Sequence, residues 1–152
     1  FYSYRKYLEE MQYNFTQNTT VRVRYGETDQ MGYCYYGNYA QYFEVGRVEA
    51  LRTVGMSYRN LEESGIMLPV SEFHVIYHRP AKYDDELNIS TKIASVIGPR
   101  ILFEYEIRNQ QNKLISTAST TLVFVKKESM RPTAPPTEFL DLLSPYQLTN
   151  EN

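Results

Sequence analysis

One stretch limits this chain more than any other. From Tyr36 onward, Tyr39, Phe43, Gly46, Ala50 and Val54 follow one another at steps of three or four, with Tyr42 and Leu51 beside them. That spacing is one apolar stripe of a helix. Gln41, Glu44, Glu49 and Arg52 fall largely off the stripe. Two stripe positions, Gly46 and Ala50, are unusually small. Glycine inside a helix costs about 1 kcal/mol against alanine, so Gly46 is expected to serve a close approach to a packed sheet. Gly55 follows as the helix stop. The chain thus has one long buried helix, and its remaining patterns have to supply a partner for it.

Those patterns are mostly strands. Val21, Val23 and Tyr25 alternate with Arg22 and Arg24 just before the helix. After it, Ser57 is placed to cap a short helix ending near Gly65. Residues 70–79 then read as a long strand stopped by Pro80. Leu87, Ile89, Thr91 and Ile93 alternate with polar residues, as do Ile101, Phe103, Tyr105 and Ile107, with turns at Gly98-Pro99 and at 109–112. Residues 113–127 are apolar on both faces, including Ile115, Leu122, Val123, Phe124 and Val125, which implies a sheet covered on both sides. A sheet wrapped around one helix satisfies this order. In residues 1–15, Tyr4, Tyr7, Leu8, Met11 and Phe15 have helical spacing, so an amphipathic helix is expected there. The division is then a helical extension over 1–19, the main domain over 20–128, and a proline-rich, mobile tail over 129–152 with a final helical turn at 139–143.

Composition excludes several classes. A net charge of −2 in 152 residues gives no footprint for nucleic acid. Cys34 is the single cysteine; it excludes an intramolecular disulfide and fits a reducing, cytoplasmic compartment. No apolar run reaches the roughly 20 residues of a membrane span, and no signal-peptide pattern is present. His74 and His78 share one face of a strand, but about 13 Å apart, which is too far to bind one ion directly. No metal is expected. The 15 tyrosines, with no tryptophan, offer apolar area with a polar tip, suited to pocket walls and subunit interfaces.

Residues 24–47 hold the chemistry. Gly26, Gly32 and Gly37 let the backbone turn before the helix, and Glu27 and Asp29 are the acids in that approach. A helix N-terminus presents unpaired N–H groups that can hold an oxyanion. A carboxylate facing the same point would suit acyl transfer or hydrolysis. Asp29 closing an Asx turn or capping the helix is the competing reading. Glu62 and Glu63 read as a solvated acidic face, and Cys34 as a small packing residue rather than a nucleophile.

Residues 28–39, T-D-Q-M-G-Y-C-Y-Y-G-N-Y, followed by the helix, resemble the signature of the 4-hydroxybenzoyl-CoA thioesterase family. The resemblance extends over roughly residues 20–127. It implies an α+β hotdog fold, an antiparallel sheet wrapped around one long central helix. It also implies an acyl-CoA thioester hydrolase that releases free CoA and a carboxylic acid. Asp29 matches the family's catalytic carboxylate, acting as nucleophile or general base. Tyr36 matches the residue whose backbone N–H polarises the thioester carbonyl. Tyr35, Gly37, Asn38 and Tyr39 complete the motif around the substrate, the Asn-Tyr pair being read as structural. Arg79, Lys82, Lys126, Lys127 and Arg131 are candidates for the CoA phosphates. No cofactor or metal is implied beyond the coenzyme A of the substrate. The family's site forms between two subunits, so a dimer or a dimer of dimers is expected. One subgroup, tied to the bacterial Tol-Pal system, has His where this chain has Tyr36, so histidine-assisted chemistry at that position is not available here. An acyl-carrier-protein thioesterase, a hydratase and a non-enzymatic acyl-CoA-binding protein are the alternatives. A hydratase needs a His-acid pair near the helix, and no His precedes His74.

Overall fold

Between Arg100 and Arg108 every second side chain, Ile101, Phe103, Tyr105 and Ile107, is buried, and the alternate ones are not. That is a strand with one face on a core. The same two-residue period builds most of the sheet. The computed structural model describes residues 10–149. In chain order its elements are β1 (Glu10–Arg22), α1 (Tyr39–Val54), α2 (Tyr58–Glu63), β2 (Ile66–Met67), β3 (Val70–Tyr77), β4 (Glu86–Ile97), β5 (Arg100–Arg108), β6 (Leu114–Val123), β7 (Val125–Lys126) and α3 (Thr137–Leu143). Short 3₁₀ turns occupy Tyr25–Glu27 and Tyr36–Asn38. The main sheet runs β1-β4-β5-β6-β3 and is antiparallel throughout. This is the hotdog architecture, with α1 laid across β1 and β4.

The helix buries the stripe read from the sequence: Tyr39, Tyr42, Phe43, Gly46, Ala50, Leu51 and Val54. A Cβ built on Gly46 would lie 2.3 Å from Thr91 Oγ1 and 2.8 Å from Ile89 Cγ2 of β4. Backbone therefore rests directly on the sheet at that point. Gly55, at φ 114°, ends the helix, and the N–H of Met56 reaches back to the Leu51 carbonyl at 3.0 Å. This is a Schellman stop, which a Cβ at position 55 would strain. Ser57 caps α2 by accepting the Asn60 N–H.

Arg47 also faces inward, at 8% exposure. Its Nε donates to the Tyr58 hydroxyl at 2.7 Å and its Nη1 to the Tyr105 hydroxyl at 3.1 Å, which contacts Thr120 Oγ1 at 2.6 Å. One guanidinium thus ties α1 to α2 and β5 through neutral oxygens.

Three expectations are corrected. Residues 10–15 form part of β1 and not a helix; residues 1–9 lie outside the described residues. Tyr13 and Phe15 are buried by pairing β1 with β4, so the boundary at 19/20 falls inside a strand. The boundary at 128/129 also moves, because Phe139 and Leu143 of α3 are fully buried, Phe139 against Phe124. Finally, residues 113–127 are not one strand. The chain leaves the sheet at Phe124, whose N–H bonds to the Pro99 carbonyl, and β7 pairs with β2. The consecutive buried residues Phe124 and Val125 mark that departure.

Candidate active site

The approach to α1 is a strap folded back on itself. Asp29 N–H donates to the Tyr33 carbonyl at 2.8 Å, and the Asp29 carbonyl accepts the Gly32 N–H at 3.0 Å. Gly32 sits at φ 77°, where a side chain would be strained. Asp29 Oδ1 accepts the N–H groups of Met31 and Tyr33 at 2.9 and 3.2 Å. Asp29 does close an Asx turn. That leaves its second carboxylate oxygen without a partner among the described residues, on a half-buried side chain. The turn reading and the chemical reading of Asp29 are compatible: one oxygen fixes the residue and the other is presented.

A cleft of about 320 Å³ opens beside it, lined by Asp29, Cys34, Tyr36, Tyr39, Tyr77 and Arg79 among others. Tyrosine rings wall it. Tyr36 lies edge-on to Tyr77 with centroids 6.3 Å apart, and Tyr77 edge-on to Tyr39 at 5.1 Å. The Tyr77 hydroxyl donates to the Tyr36 carbonyl at 3.1 Å. Burial, reinforced by the nearby Cys34 and only partly opposed by the Ala81 backbone, pushes the Tyr39 hydroxyl up to about 12. Burial raises the Cys34 thiol too, so Cys34 stays an un-ionised packing residue, as its sequence context implied.

The helical path begins at Tyr36, three residues before the α-helix proper. Neither the Tyr36 nor the Gly37 N–H has an acceptor among the described residues, so both are available to an oxyanion. The Tyr35–Tyr36 peptide is held in orientation. Its carbonyl accepts the Asn38 N–H at 2.9 Å, and the Tyr35 N–H donates to the Glu27 carbonyl at 2.8 Å. A trans peptide points its N–H opposite to its carbonyl. A Cβ at Gly37 would lie 2.7 Å from the Tyr35 ring, which is exposed and would swing aside. Asn38 Nδ2 donates to the same Glu27 carbonyl at 2.8 Å, which is a structural task.

Of the sequence-derived candidates, Asp29, Tyr36, Tyr39 and Arg79 line this one cleft. The Tyr35 ring lies beside the cleft, tilted against Tyr36 with centroids 4.7 Å apart. Lys82 is exposed and bridges to Tyr33 at the cleft's margin. Lys126, Lys127 and Arg131 lie around β7, away from it, and Lys127 pairs with Glu62 at 3.4 Å. Glu63 pairs with Arg59, so Glu62 and Glu63 form the solvated acidic face. His78 Nε2 lies 3.0 Å from Thr117 Oγ1, and among the described residues no cluster of three or more ligating side chains could hold a metal. Sequence reasoning missed Tyr77 and the work of Glu27. Tyr77 had a signal, since it falls at the end of a strand whose next residues carry the cleft's basic side chain.

Comparison with known proteins agrees with this picture. The family model described as the thioesterase-like superfamily matches residues 23–143. The acyl-CoA thioester hydrolase YbgC of Escherichia coli is 35% identical over 116 residues, spanning 76% of this chain and 87% of that one. A DHNA-CoA thioesterase from Staphylococcus aureus superimposes with a TM-score of 0.82 at 32% identity, covering 86% of this chain and 89% of its own. A 4-hydroxybenzoyl-CoA thioesterase in complex with 4-hydroxybenzoyl-CoA shares the fold at a TM-score of 0.76 and 20% identity, over 85% and 99% of the two chains. No helix among the described residues is long and apolar enough to cross a membrane.

Proposed function

This chain belongs to the thioesterase-like superfamily and is a thioesterase; on that premise, we propose that it hydrolyses acyl-CoA thioesters at the Asp29 cleft. The observation that carries the reading is the pairing, in one cleft, of a half-free carboxylate at Asp29 with Tyr36, whose N–H is unpaired among the described residues at the start of the 3₁₀ turn that leads into α1. In the general-base route, Asp29 takes a proton from water and the hydroxide attacks the thioester carbonyl carbon. The carbonyl oxygen gathers negative charge against the Tyr36 N–H. Collapse of the tetrahedral species breaks the C–S bond, and the CoA thiolate leaves with the proton. In the nucleophilic route, the Asp29 carboxylate attacks, CoA thiolate departs, and water opens the resulting anhydride. Arg79 at the cleft, with Lys82 at its margin, supplies positive charge for the CoA phosphates. Neither route calls for a metal or a cofactor besides the CoA in the substrate, and the cytoplasm, where acyl-CoA is made and used, is the compartment this reading favours.

The site is completed by a second copy. β3 is an outer strand, paired with β6 on one edge, and Val70, Phe73, Ile76 and Tyr77 along it are exposed. A long apolar edge with unpaired backbone groups is a template for another strand. Tyr77 places one end of this edge at the cleft. Thiol release from short, long and aryl acyl-CoAs and from acyl carrier protein, measured against enzyme concentration, tests both parts. Turnover of a CoA ester is expected, with specific activity falling on dilution as sedimentation reports monomer. Turnover restricted to the carrier protein would move the substrate class; no turnover of any thioester would end the proposal. Undiminished activity in a monomer would remove the second copy from the site.

A further inference from the structure

Glu27 stands two residues before Asp29 and makes several contacts through both its side chain and its backbone. Its side chain is only 12% exposed. Oε1 accepts the Arg24 N–H at 2.8 Å and the Tyr42 hydroxyl at 3.0 Å, while Oε2 meets Arg24 Nη2 at 3.3 Å. The backbone carbonyl of the same residue accepts the Tyr35 N–H and Asn38 Nδ2, both at 2.8 Å. One residue therefore joins the strap that carries Asp29 to both the 3₁₀ turn that carries Tyr36 and the first turn of α1, through Tyr42.

We infer that Glu27 is a positioning residue for thioester hydrolysis, fixing the distance and angle between the Asp29 carboxylate and the Tyr36 N–H. The inference rests on the reading of Asp29 and Tyr36 as the reacting pair. Its logic is geometric. The Tyr36 N–H is aimed by the Tyr35 carbonyl on the other side of the same peptide. That peptide is held by Asn38 and by the Tyr35 N–H, and both of these hang on the Glu27 carbonyl. The Glu27 carbonyl is in turn placed by its own side chain, clamped between Arg24 and Tyr42. Asp29 is locked within its own turn. Tyr33 and Cys34 tie that turn to Lys82 and Ala81, and Glu27 adds the tie that sets it against the 3₁₀ turn and α1. Tyr42 is itself steadied by Cys34, whose Sγ lies 3.3 Å from its hydroxyl, and this gives Cys34 a purpose beyond filling space.

Glu27 touches no reacting atom, so its loss should lower kcat and leave KM nearly unchanged. A misplacement of about 1 Å in a catalytic constellation costs on the order of 100-fold. Glu27→Ala is expected to lose roughly 10- to 100-fold in kcat at a temperature where it is fully folded, with KM within about threefold. Glu27→Gln retains an oxygen that can accept both the Arg24 N–H and the Tyr42 hydroxyl, so most of the activity should return. A residue needed only for folding would show neither the split nor the rescue. Amide hydrogen exchange gives a second readout that does not depend on turnover. In Glu27→Ala the amides of residues 33–38 should exchange faster, while those of the middle of α1 stay protected. Unchanged kcat in folded Glu27→Ala, or unchanged exchange over 33–38, would overturn the inference. The parallel Asp29→Asn variant separates the two readings. If it stays fully active, the reacting pair is wrong, whereas the exchange result still decides whether Glu27 holds the turn.

Discussion

Asp29→Asn will lower turnover of the best acyl-CoA substrate by at least about 100-fold, the scale of a positioned general base, while the melting temperature barely moves. The choice of asparagine follows from the geometry. Asp29 Oδ1 accepts the Met31 and Tyr33 N–H groups, and an asparagine side-chain oxygen can accept both. The Asx turn survives, and what disappears is the negative charge and the second carboxylate oxygen as a proton acceptor. Asp29→Ala removes both properties. It should lose the same activity and in addition about 1 kcal/mol of stability per lost hydrogen bond. The contrast between the two variants therefore separates the residue's structural task from its chemical one. Steady-state thiol release and thermal unfolding on both proteins check it. Equal activity of Asp29→Asn and the parent would leave Asp29 as a turn former only.

The largest effect on stability is expected at Gly46. A Cβ there would meet Thr91 Oγ1 at 2.3 Å and Ile89 Cγ2 at 2.8 Å. Both belong to β4, in the interior of the sheet, so neither is a flexible surface tip. Gly46→Ala gains about 1 kcal/mol of helix propensity but incurs overpacking of roughly 1–3 kcal/mol, so it should come out neutral to moderately destabilised. Gly46→Val adds two further methyl groups against the same strand and should cost more than about 3 kcal/mol, enough to unfold much of the protein at ambient temperature. Thr91→Ala supplies the control. The Thr91 hydroxyl is buried without a partner among the described residues, so removing it is inexpensive and makes room. The double variant Gly46→Ala/Thr91→Ala should therefore be more stable than the sum of the single changes allows, with a coupling of about 0.5 kcal/mol or more by urea titration. Strict additivity would mean that the helix shifts as a body and the contact is not the cause.

Local pattern carried much of this fold, and where it failed the reason is physical. The stripe from Tyr39 to Val54 and the alternation in β5 were legible because each element buries one face, and burial imposes its period on the sequence. Residues 10–15 misled because Met11 and Phe15 suit a helix, whereas Met11, Tyr13 and Phe15 equally suit a strand. Pairing with β4, some eighty residues away in the chain, decided between them. The prolines after residue 130 read as the end of structure, yet Phe139 and Leu143, one helical turn apart, buried themselves in the core. The motif singled out Asp29 and Tyr36, which share one cleft, because both lie in one continuous stretch. Glu27 and Arg47 were not legible in their roles, because those roles are defined by partners elsewhere: Tyr42 for one, Tyr58 and Tyr105 for the other. Arg47 had left a trace, a charge spaced four residues after Phe43 on the buried side.

The partners of Arg47 set how the molecule meets acid. Tyr58 and Tyr105 hold the guanidinium with neutral oxygens, and nothing in that joint takes up a proton as pH falls. The first turn of α1 is held by the Glu27 carboxylate through Tyr42. Burial pushes its pKa up, but the Arg24 N–H, the Tyr42 hydroxyl and the Arg24 guanidinium outweigh burial and leave it lowered. A group lowered on folding stabilises the protein above its unfolded pKa, and that stabilisation is lost as pH falls through the folded value. Acidification below the ordinary carboxylate range therefore releases the helix at its cleft end first, while its middle stays pinned, so activity should be lost at a higher pH than the one that melts the fold.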